Sequence, residues 1–481
     1  MRLTAGSAVL GLVLAAGAVT LAGPWDSGQR TAERARAAAQ APTGGADHHA
    51  AGPERPAPRP PAPAPSAPGV LTALTAAAAP ADPRPAGPRP APLAAALAPL
   101  LADPGLGPLR TACVIDVTTG KQLYGDGAGT PMTPASTIKI ATSLAALDAL
   151  GPDHRIATTA VTGPDARRVT LVGGGDPTLD ATRLRALAAD TARALRSRGV
   201  AEITLTYDTS RYTGPERHPI GVNDNIAPVT ALMTDEGRLA APAVGPAPRS
   251  AAPAVGPAPR SADPAGDTAR AFAGRLAEHG VTVRGAAARA RAPKKATLLA
   301  RTWSQPLSAL VERALTTSDN DLAEALARQT AIAAGLPASF DGAGRAVAQR
   351  LRGLRVPLAG ARFADGSGLD RRDRVSASLL TALLARAADP ARPELRPVLT
   401  GLPVGGFSGT LADRYADGSP GAAGAGLVRA KTGTLSGVNA LAGTVVNADG
   451  RLLAFAFLAG RTPSAATAQP ALDRLAAALV A

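Results

Sequence analysis

Between residue 25 and about residue 92 the chain offers almost nothing that a folded core could bury. This stretch is built of Ala, Pro, Gly and Arg, with runs such as Pro56-Ala57-Pro58-Arg59-Pro60-Pro61. Proline fixes φ and removes a backbone donor, so such runs favour extended polyproline segments over helix or sheet. We read residues 25–92 as a disordered or semi-rigid linker, and folded sequence begins near Leu93. Ahead of the linker, Arg2 is followed by an uncharged apolar stretch from Leu3 to Pro24. Its short basic start and apolar body suit a secretory signal, and its length would also serve as a membrane anchor. Small residues at Ala16-Gly17-Ala18 and Thr20-Leu21-Ala22 offer cleavage sites, so residues 1–24 stay open between release and anchoring. Either way the bulk of the chain is expected outside the cytoplasm, touching a membrane only through this segment.

The 481 residues allow two to four domains. The chain carries 51 basic and 37 acidic residues, a net charge of +14. Such a balance is a common footprint of nucleic-acid binding. Here no arginine cluster is interleaved with aromatics, and aromatic residues are 2% of the chain, too few to stack bases. No nucleic-acid partner is expected. The single cysteine, Cys113, excludes an intramolecular disulfide and a cysteine zinc site. It lies in the strand-like run Thr111–Ile115 and reads as a small core residue. The five histidines show no ligand spacing, so neither a metal nor a cofactor is expected. Only five basic residues are lysines: Lys121, Lys139, Lys294, Lys295 and Lys431. Where arginine is used so freely, a lysine that survives invites a chemical reason.

Past Leu93, Thr111–Val117 and Lys121–Tyr124 flank the turn Thr118-Thr119-Gly120 and predict a β-hairpin. Thr137–Leu150 is an apolar helical run stopped by Gly151-Pro152. The middle of the chain mixes strands at Arg168–Val172 and Ile203–Tyr207 with an Arg-rich amphipathic helix over Ala181–Arg198. It also contains a perfect tandem repeat, residues 241–251 recurring unchanged at 252–262. Two copies this short and this rich in proline suit a duplicated, disordered surface loop rather than a solenoid. Helical pattern returns over 306–335 and 376–388. Strands follow at Leu427–Lys431, Val438–Val446 and Leu452–Leu458, and a helical tail over Thr467–Val480 closes the chain.

Three short motifs carry chemistry. In Ser136-Thr137-Ile138-Lys139 the spacing places Ser136 and Lys139 on one helical face, one turn apart. A serine hydroxyl needs a base to take its proton, and a lysine kept neutral by desolvation can do so. A helix N-terminus there would offer backbone N–H groups to an oxyanion. Taken alone, the pattern also fits a capped surface helix. Ser318-Asp319-Asn320, between two helical segments, could aim a hydroxyl and an amide into a cleft, or simply cap the helix from Asp321. Lys431-Thr432-Gly433, followed by Thr434, puts a cation at the end of a strand beside a glycine that permits close approach. Its plain alternative is a strand-to-turn boundary.

In this order and on these elements, the three motifs resemble the signature of the penicillin-recognising serine enzymes. That resemblance implies an α+β penicillin-binding/β-lactamase-like transpeptidase fold, an antiparallel sheet packed between helices. It implies acyl transfer through an ester on Ser136, with Lys139 and Ser318 moving protons and Asn320 completing the catalytic set. Lys431, Thr432 and Gly433 would hold the substrate carboxylate, and the N–H groups of Ser136 and Thr434 would form the oxyanion hole. Ser136 and Ser318 are 182 residues apart, far more than in class A β-lactamases, so an inserted α/β region must lie between them. The arrangement is similar to the class C low-molecular-mass penicillin-binding proteins, the D-alanyl-D-alanine carboxypeptidase/endopeptidase family of the DacB type.

The expected plan is a peptidase domain from residues 93–160 and 301–481, with residues 161–300 inserted. Leu171–Leu179, Thr206–Ser210, Ala227–Met233, Asp365–Leu369 and Leu402–Gly406 resemble further family stretches. Asp224, ahead of Ala227-Pro228, is the nearest acid for reading the amino group of a diamino acid in the substrate, though its spacing is short. Asp370 and Asp373 depart from the small or amide residues expected there, and the sequence gives no reason for them. The implied partners are peptidoglycan stem peptides, with β-lactams as inhibitors; the excess basic charge would then suit anionic wall polymers, or no specific partner. A serine β-lactamase is the alternative enzyme, although no glutamate motif for deacylation follows Ser136 at class A spacing. A non-catalytic wall-binding protein is the third reading.

Overall fold

Strand and helix ends follow the sequence pattern closely where hydrophobic periodicity is strong. The computed structural model describes residues 93–164, 166–239 and 257–481. The expectations for residues 1–92 and for most of the tandem repeat fall outside these. The first elements are α1 (Leu93–Leu101), β1 (Leu109–Asp116), β2 (Gln122–Asp126) and α2 (Lys139–Leu150). Next come β3 (Ala157–Thr162), β4 (Arg168–Val172), α3 (Ala181–Arg196), β5 (Glu202–Asp208) and α4 (Pro264–Glu278). Three strands, β6 (Thr282–Val283), β7 (Ala288–Arg289) and β8 (Thr297–Trp303), precede a helical block. That block comprises α5 (Leu307–Thr316), α6 (Asn320–Ala333), α7 (Phe340–Gly353), α8 (Ala377–Ala387) and the short α9 (Pro397–Thr400). The chain closes with β9 (Arg429–Leu435), β10 (Val438–Val446), β11 (Leu452–Gly460) and α10 (Ala465–Ala477).

The first sheet is antiparallel throughout, in the order β2-β1-β11-β10-β9. Its central strands are apolar on both faces because helices cover both. Cys113, Ile115, Ala454, Ala456 and Leu458 pack with α2, α5 and α8. Their neighbours Ala112, Val114, Phe455 and Phe457 point the other way, against Leu97, Leu101, Leu472 and Leu475 of α1 and α10. Small residues on the α2 side let the helices approach the sheet closely. On the other side the two stacked phenylalanines fill the space, each contributing about 1.5–3 kcal/mol by burial. Cys113 is buried here as a core residue, accepting a hydrogen bond from Thr381 Oγ1.

A second, mixed sheet runs β6-β5-β4-β3-β8, with β7 also pairing β5. All its strands lie between residues 157 and 303. β4, α3 and β5 form a parallel crossover, and Leu184, Leu187 and Leu195 of α3 pack with Phe272 and Leu276 of α4 over the sheet. After β5 the chain returns toward the helical block. Thr213 donates its N–H to Ala338 O at 3.0 Å, and Ala227 donates to the Asp321 carboxylate at 2.8 Å. The Arg328 guanidinium, with no exposed surface, lies 4.3 Å over the ring of Phe340.

Strands β3, β6, β7 and β8 were not marked by the sequence pattern, and the structure departs from it elsewhere too. Helices α4 and α7 carry small, Arg-interrupted apolar faces that the periodicity did not separate; their N-caps, Asp263 and Ser339, were the available signals. The two helical segments expected on either side of Ser318 are α5 and α6, separated where Ser318 takes φ 59°. Strand β9 continues through Lys431-Thr432-Gly433 to Leu435 instead of ending at Lys431. Finally, the end of the second repeat copy belongs to the folded structure. Arg260 pairs with Asp321 at 3.1 Å, Ser261 donates its N–H to Gly237 O at 2.7 Å, and Arg238 bridges Arg260.

Candidate active site

The cleft forms where three pieces of chain meet: the turn before α2, the turn before α6, and edge strand β9. Ser136 sits in a 3-10 turn, Ala135–Ile138, rather than in the first turn of the α-helix, which starts at Lys139. Ala135 takes φ 48°, a conformation costly for a residue with a Cβ. Strain thus sits immediately before Ser136 and at Ser318, both held by the packing around them. Gly433 allows β9 to lie against the same turn, for a Cβ there would stand 2.6 Å from Pro134 O. Gly433→Ala is accordingly expected to push β9 off the turn and slow acylation of Ser136 about tenfold or more, measured by stopped-flow with a β-lactam.

Lys139 Nζ is the hub. It has no exposed surface and lies 2.9 Å from Ser136 Oγ, 2.7 Å from Asn320 Oδ1 and 2.6 Å from Ser367 O. A neutral amine has two N–H bonds and one lone pair. Asn320 Oδ1 and Ser367 O can only accept, so they take the two N–H bonds and leave the lone pair facing the Ser136 hydroxyl. The Asn320 amide is fixed in that sense because its Nδ2 donates to Asn225 O at 3.0 Å. Burial pushes the Lys139 amine down to about 8, against Asp365, Asp319, Glu324 and Asp321, which pull upward. An amine so placed, partly free near neutral pH and beside a hydroxyl, has the chemistry a general base requires.

Ser136, Ser318, Asn320, Thr432 and Thr434 line one cavity of about 380 Å³, joined by Asn225, Arg238 and Arg260 from the returning segment. Thr410 and Thr432 share a hydroxyl hydrogen bond of 2.8 Å on its wall. Lys431 lies beneath the wall rather than on it: it is fully buried and donates to Thr432 O at 2.8 Å. Burial first, then the nearby Lys139 charge, hold its amine well below the usual lysine range. Asp319 caps α6 by accepting the Leu322 N–H at 2.9 Å, so the second motif is both a helix cap and a cleft wall. The turn is pinned from below by Arg313, which pairs with Asp319 at 3.5 Å and with buried Glu236.

Asp224 is not brought into this cavity. It is exposed, and its contribution is a backbone carbonyl that accepts the Ala258 N–H at 2.9 Å; its neighbour Asn225 lines the cleft instead. Asp370 and Asp373 find their reason in the turn over 365–370. Asp373 Oδ1 accepts the N–H groups of Ala364 and Asp365, and Asp370 accepts the Arg372 N–H at 2.8 Å. Burial and then the Asp365 charge push Asp373 up to about 10. The sequence reading missed the carbonyls of Ser367 and Asn225, which no side chain announces, and His218. Among the described residues His218, Glu324 and Asp365 form a buried group with ligand atoms within 4.8 Å of one another. Most of its atoms are engaged in hydrogen bonds: His218 Nε2 meets Asp365 Oδ2 at 2.9 Å, and Glu324 Oε1 accepts from Gly366 and Ser367, while Glu324 Oε2 is buried without a hydrogen-bond partner.

Comparisons with known proteins point to one family. The profile of the D-Ala-D-Ala carboxypeptidase 3 (S13) family matches residues 93–258 and 244–479, the two matches overlapping inside the tandem repeat. The carboxypeptidase DacB of Mycolicibacterium smegmatis is 38% identical over 402 residues, covering 80% of this chain and 83% of that protein. A D-alanyl-D-alanine carboxypeptidase of an Actinomadura species is 32% identical over 427 residues, covering 73% of this chain and 78% of that one. The crystal structure of penicillin binding protein 4 (dacB) from Haemophilus influenzae has the same fold, with a TM-score of 0.65 at 22% identity over 79% of this chain and 97% of that one. With the three motifs gathered round one cleft and these matches along its folded length, the chain belongs to the D-Ala-D-Ala carboxypeptidase 3 (S13) family.

Proposed function

We propose that this protein is a serine D-Ala-D-Ala carboxypeptidase that removes the terminal D-alanine from peptidoglycan stem peptides. The observation that carries the reading is the buried Lys139 amine 2.9 Å from Ser136 Oγ and held by Asn320 Oδ1 and Ser367 O; once neutral, it gives its two N–H bonds to those oxygens and its lone pair to Ser136. Lys139 takes the hydroxyl proton as Ser136 Oγ attacks the carbonyl carbon of the penultimate D-alanine. The N–H groups of Ser136 and Thr434 receive the oxyanion. The C–N bond breaks, the leaving D-alanine nitrogen gains a proton through Ser318, and water then hydrolyses the ester. As the edge strand of its sheet, β9 has backbone groups not paired to β10, a natural rail for an extended peptide along Thr432 and Thr434. A β-lactam would acylate Ser136 by the same attack, its leaving nitrogen remaining tethered.

Lys431 supports the terminal carboxylate from beneath Thr432. Lys431→Met is expected to lower kcat/KM for a D-Ala-D-Ala peptide about tenfold to a hundredfold, through the loss of the buried N–H donor that holds the Thr432 carbonyl. We also place the enzyme outside the cytoplasmic membrane. That is supported by the apolar stretch Leu3–Pro24, which lies outside the described residues; among the described residues no helix is long and apolar enough to cross a membrane. Incubation with a fluorescent penicillin tests the reading: a stable covalent adduct is expected, and rapid turnover of a chromogenic cephalosporin would make the protein a β-lactamase instead.

A further inference from the structure

We propose that His218, carried by the segment returning from the second sheet, is a positioning residue for Lys139, acting through the Asp365 carboxylate and the Ser367 carbonyl. The inference rests on the reading of Lys139 as the base that activates Ser136.

The chain of contacts is short and dry. Lys139 Nζ donates to Ser367 O at 2.6 Å, so the direction of that carbonyl sets where the lone pair points. Ser367 lies in a turn wrapped around Asp365. Asp365 Oδ1 accepts the N–H groups of Ser367 at 3.0 Å and Gly368 at 2.6 Å, and Oδ2 accepts the Asp370 N–H at 2.7 Å. His218 Nε2 closes the set on Oδ2 at 2.9 Å. Among the described residues it is the one hydrogen bond to the Asp365 carboxylate that comes from outside the chain around this turn, and it crosses 147 residues of sequence.

His218 is itself fixed on both sides. The Ile220 N–H donates to its Nδ1 at 3.3 Å, which leaves Nε2 as the protonated nitrogen facing Asp365. Phe340 meets the imidazole edge-on, with centroids 5.4 Å apart at 82°. The side chains of His218 and Asp365 are 0% and 1% exposed, so water is kept from taking the place of a lost donor. Burial works to raise Asp365, but the hydrogen bond from His218, with other donors, brings it down to about 2. An ionised, fully bonded Asp365 holds the turn in one orientation. Without the imidazole donor, Asp365 Oδ2 keeps only donors of its own turn, the Asp370 N–H at 2.7 Å and Ser367 Oγ at 3.2 Å, so the turn is free to shift or the carboxylate to take up a proton. Either response moves the carbonyl that orients the lysine. Errors of about 1 Å in such a group cost up to about a hundredfold in rate.

A purely structural role would lower the melting temperature and leave acylation by the folded enzyme alone. The full chain is prepared as wild type, His218→Phe and His218→Gln. Phenylalanine keeps the ring and its contact with Phe340 but has no donor, while glutamine keeps an N–H within reach of Asp365. The maximal acylation rate by a fluorescent penicillin and its half-saturating concentration are measured, beside the melting temperature. His218→Phe is expected to acylate at least tenfold more slowly with half-saturation unchanged within twofold, and His218→Gln to recover to within threefold of wild type. Wild-type acylation by His218→Phe, or equal slowing in both variants, overturns the proposal. If His218→Phe does not fold, His218→Asn, whose amide is too short to reach, replaces it; rates equal to those of His218→Gln then overturn the proposal. A wild type that is never acylated instead overturns the reading of Ser136 and Lys139, and this inference with it.

Discussion

Lys139→Met is expected to leave a folded protein in which acylation of Ser136 is slower by about a thousandfold or more, near the upper range for loss of a positioned general base. Methionine keeps most of the aliphatic stem that packs in the core but has no lone pair of comparable basicity. The wild-type pH profile makes the same point without a mutation. Burial lowers the Lys139 amine to about 8, and only the free amine can accept the Ser136 proton. The acylation rate should therefore climb about tenfold per pH unit below about 8 and level above it, because deprotonation rises with pH. In Lys139→Met that limb should vanish. A profile unchanged by the substitution would remove Lys139 from the proton path.

Ser136→Ala is expected to abolish the covalent adduct altogether and to lower peptide hydrolysis by about a millionfold, as for other nucleophiles acting within a unit. Non-covalent binding of the β-lactam should survive, since Thr432, Thr434 and Thr410 still line the cleft. Residues that act as one unit are not additive in their losses. Ser136→Ala combined with Lys139→Met should thus be no slower than Ser136→Ala alone. Labelling of Ser136→Ala equal to that of wild type would place the nucleophile elsewhere.

Much of this site was legible because its chemistry lies in side chains at fixed spacing. Ser136, Lys139, Ser318, Asn320, Lys431 and Thr432 all fall around one cleft, and the 181 residues between Ser136 and Ser318 contain a whole second sheet. The scarcity of lysine was informative for a physical reason. Arginine stays charged in proteins, so neither the base at 139 nor the depressed amine at 431 could be exchanged for it. What the sequence could not reveal is made by backbone. The carbonyls of Ser367 and Asn225 orient Lys139 and Asn320, and any residue has a carbonyl. Gly433 read as a strand end because glycine usually breaks a strand; here it stays within β9 to admit Pro134 and Ala135. The tandem repeat was read as surface throughout, yet Arg260 and Ser261 are buried because Asp321 and Asp267 meet them. Those partners lie well along the chain or beyond a helix start, where local pattern carries no signal.

The central claim is hydrolysis of a D-Ala-D-Ala bond through an ester on Ser136. Its most direct measurement is mass analysis of a purified stem pentapeptide ending in D-Ala-D-Ala after incubation with the full chain, with the enzyme itself weighed at early times. Loss of one alanine from the peptide, a transient peptidyl adduct on Ser136, and no reaction with the peptide ending in L-Ala are expected. An intact pentapeptide beside an enzyme that turns over penicillin would contradict the claim.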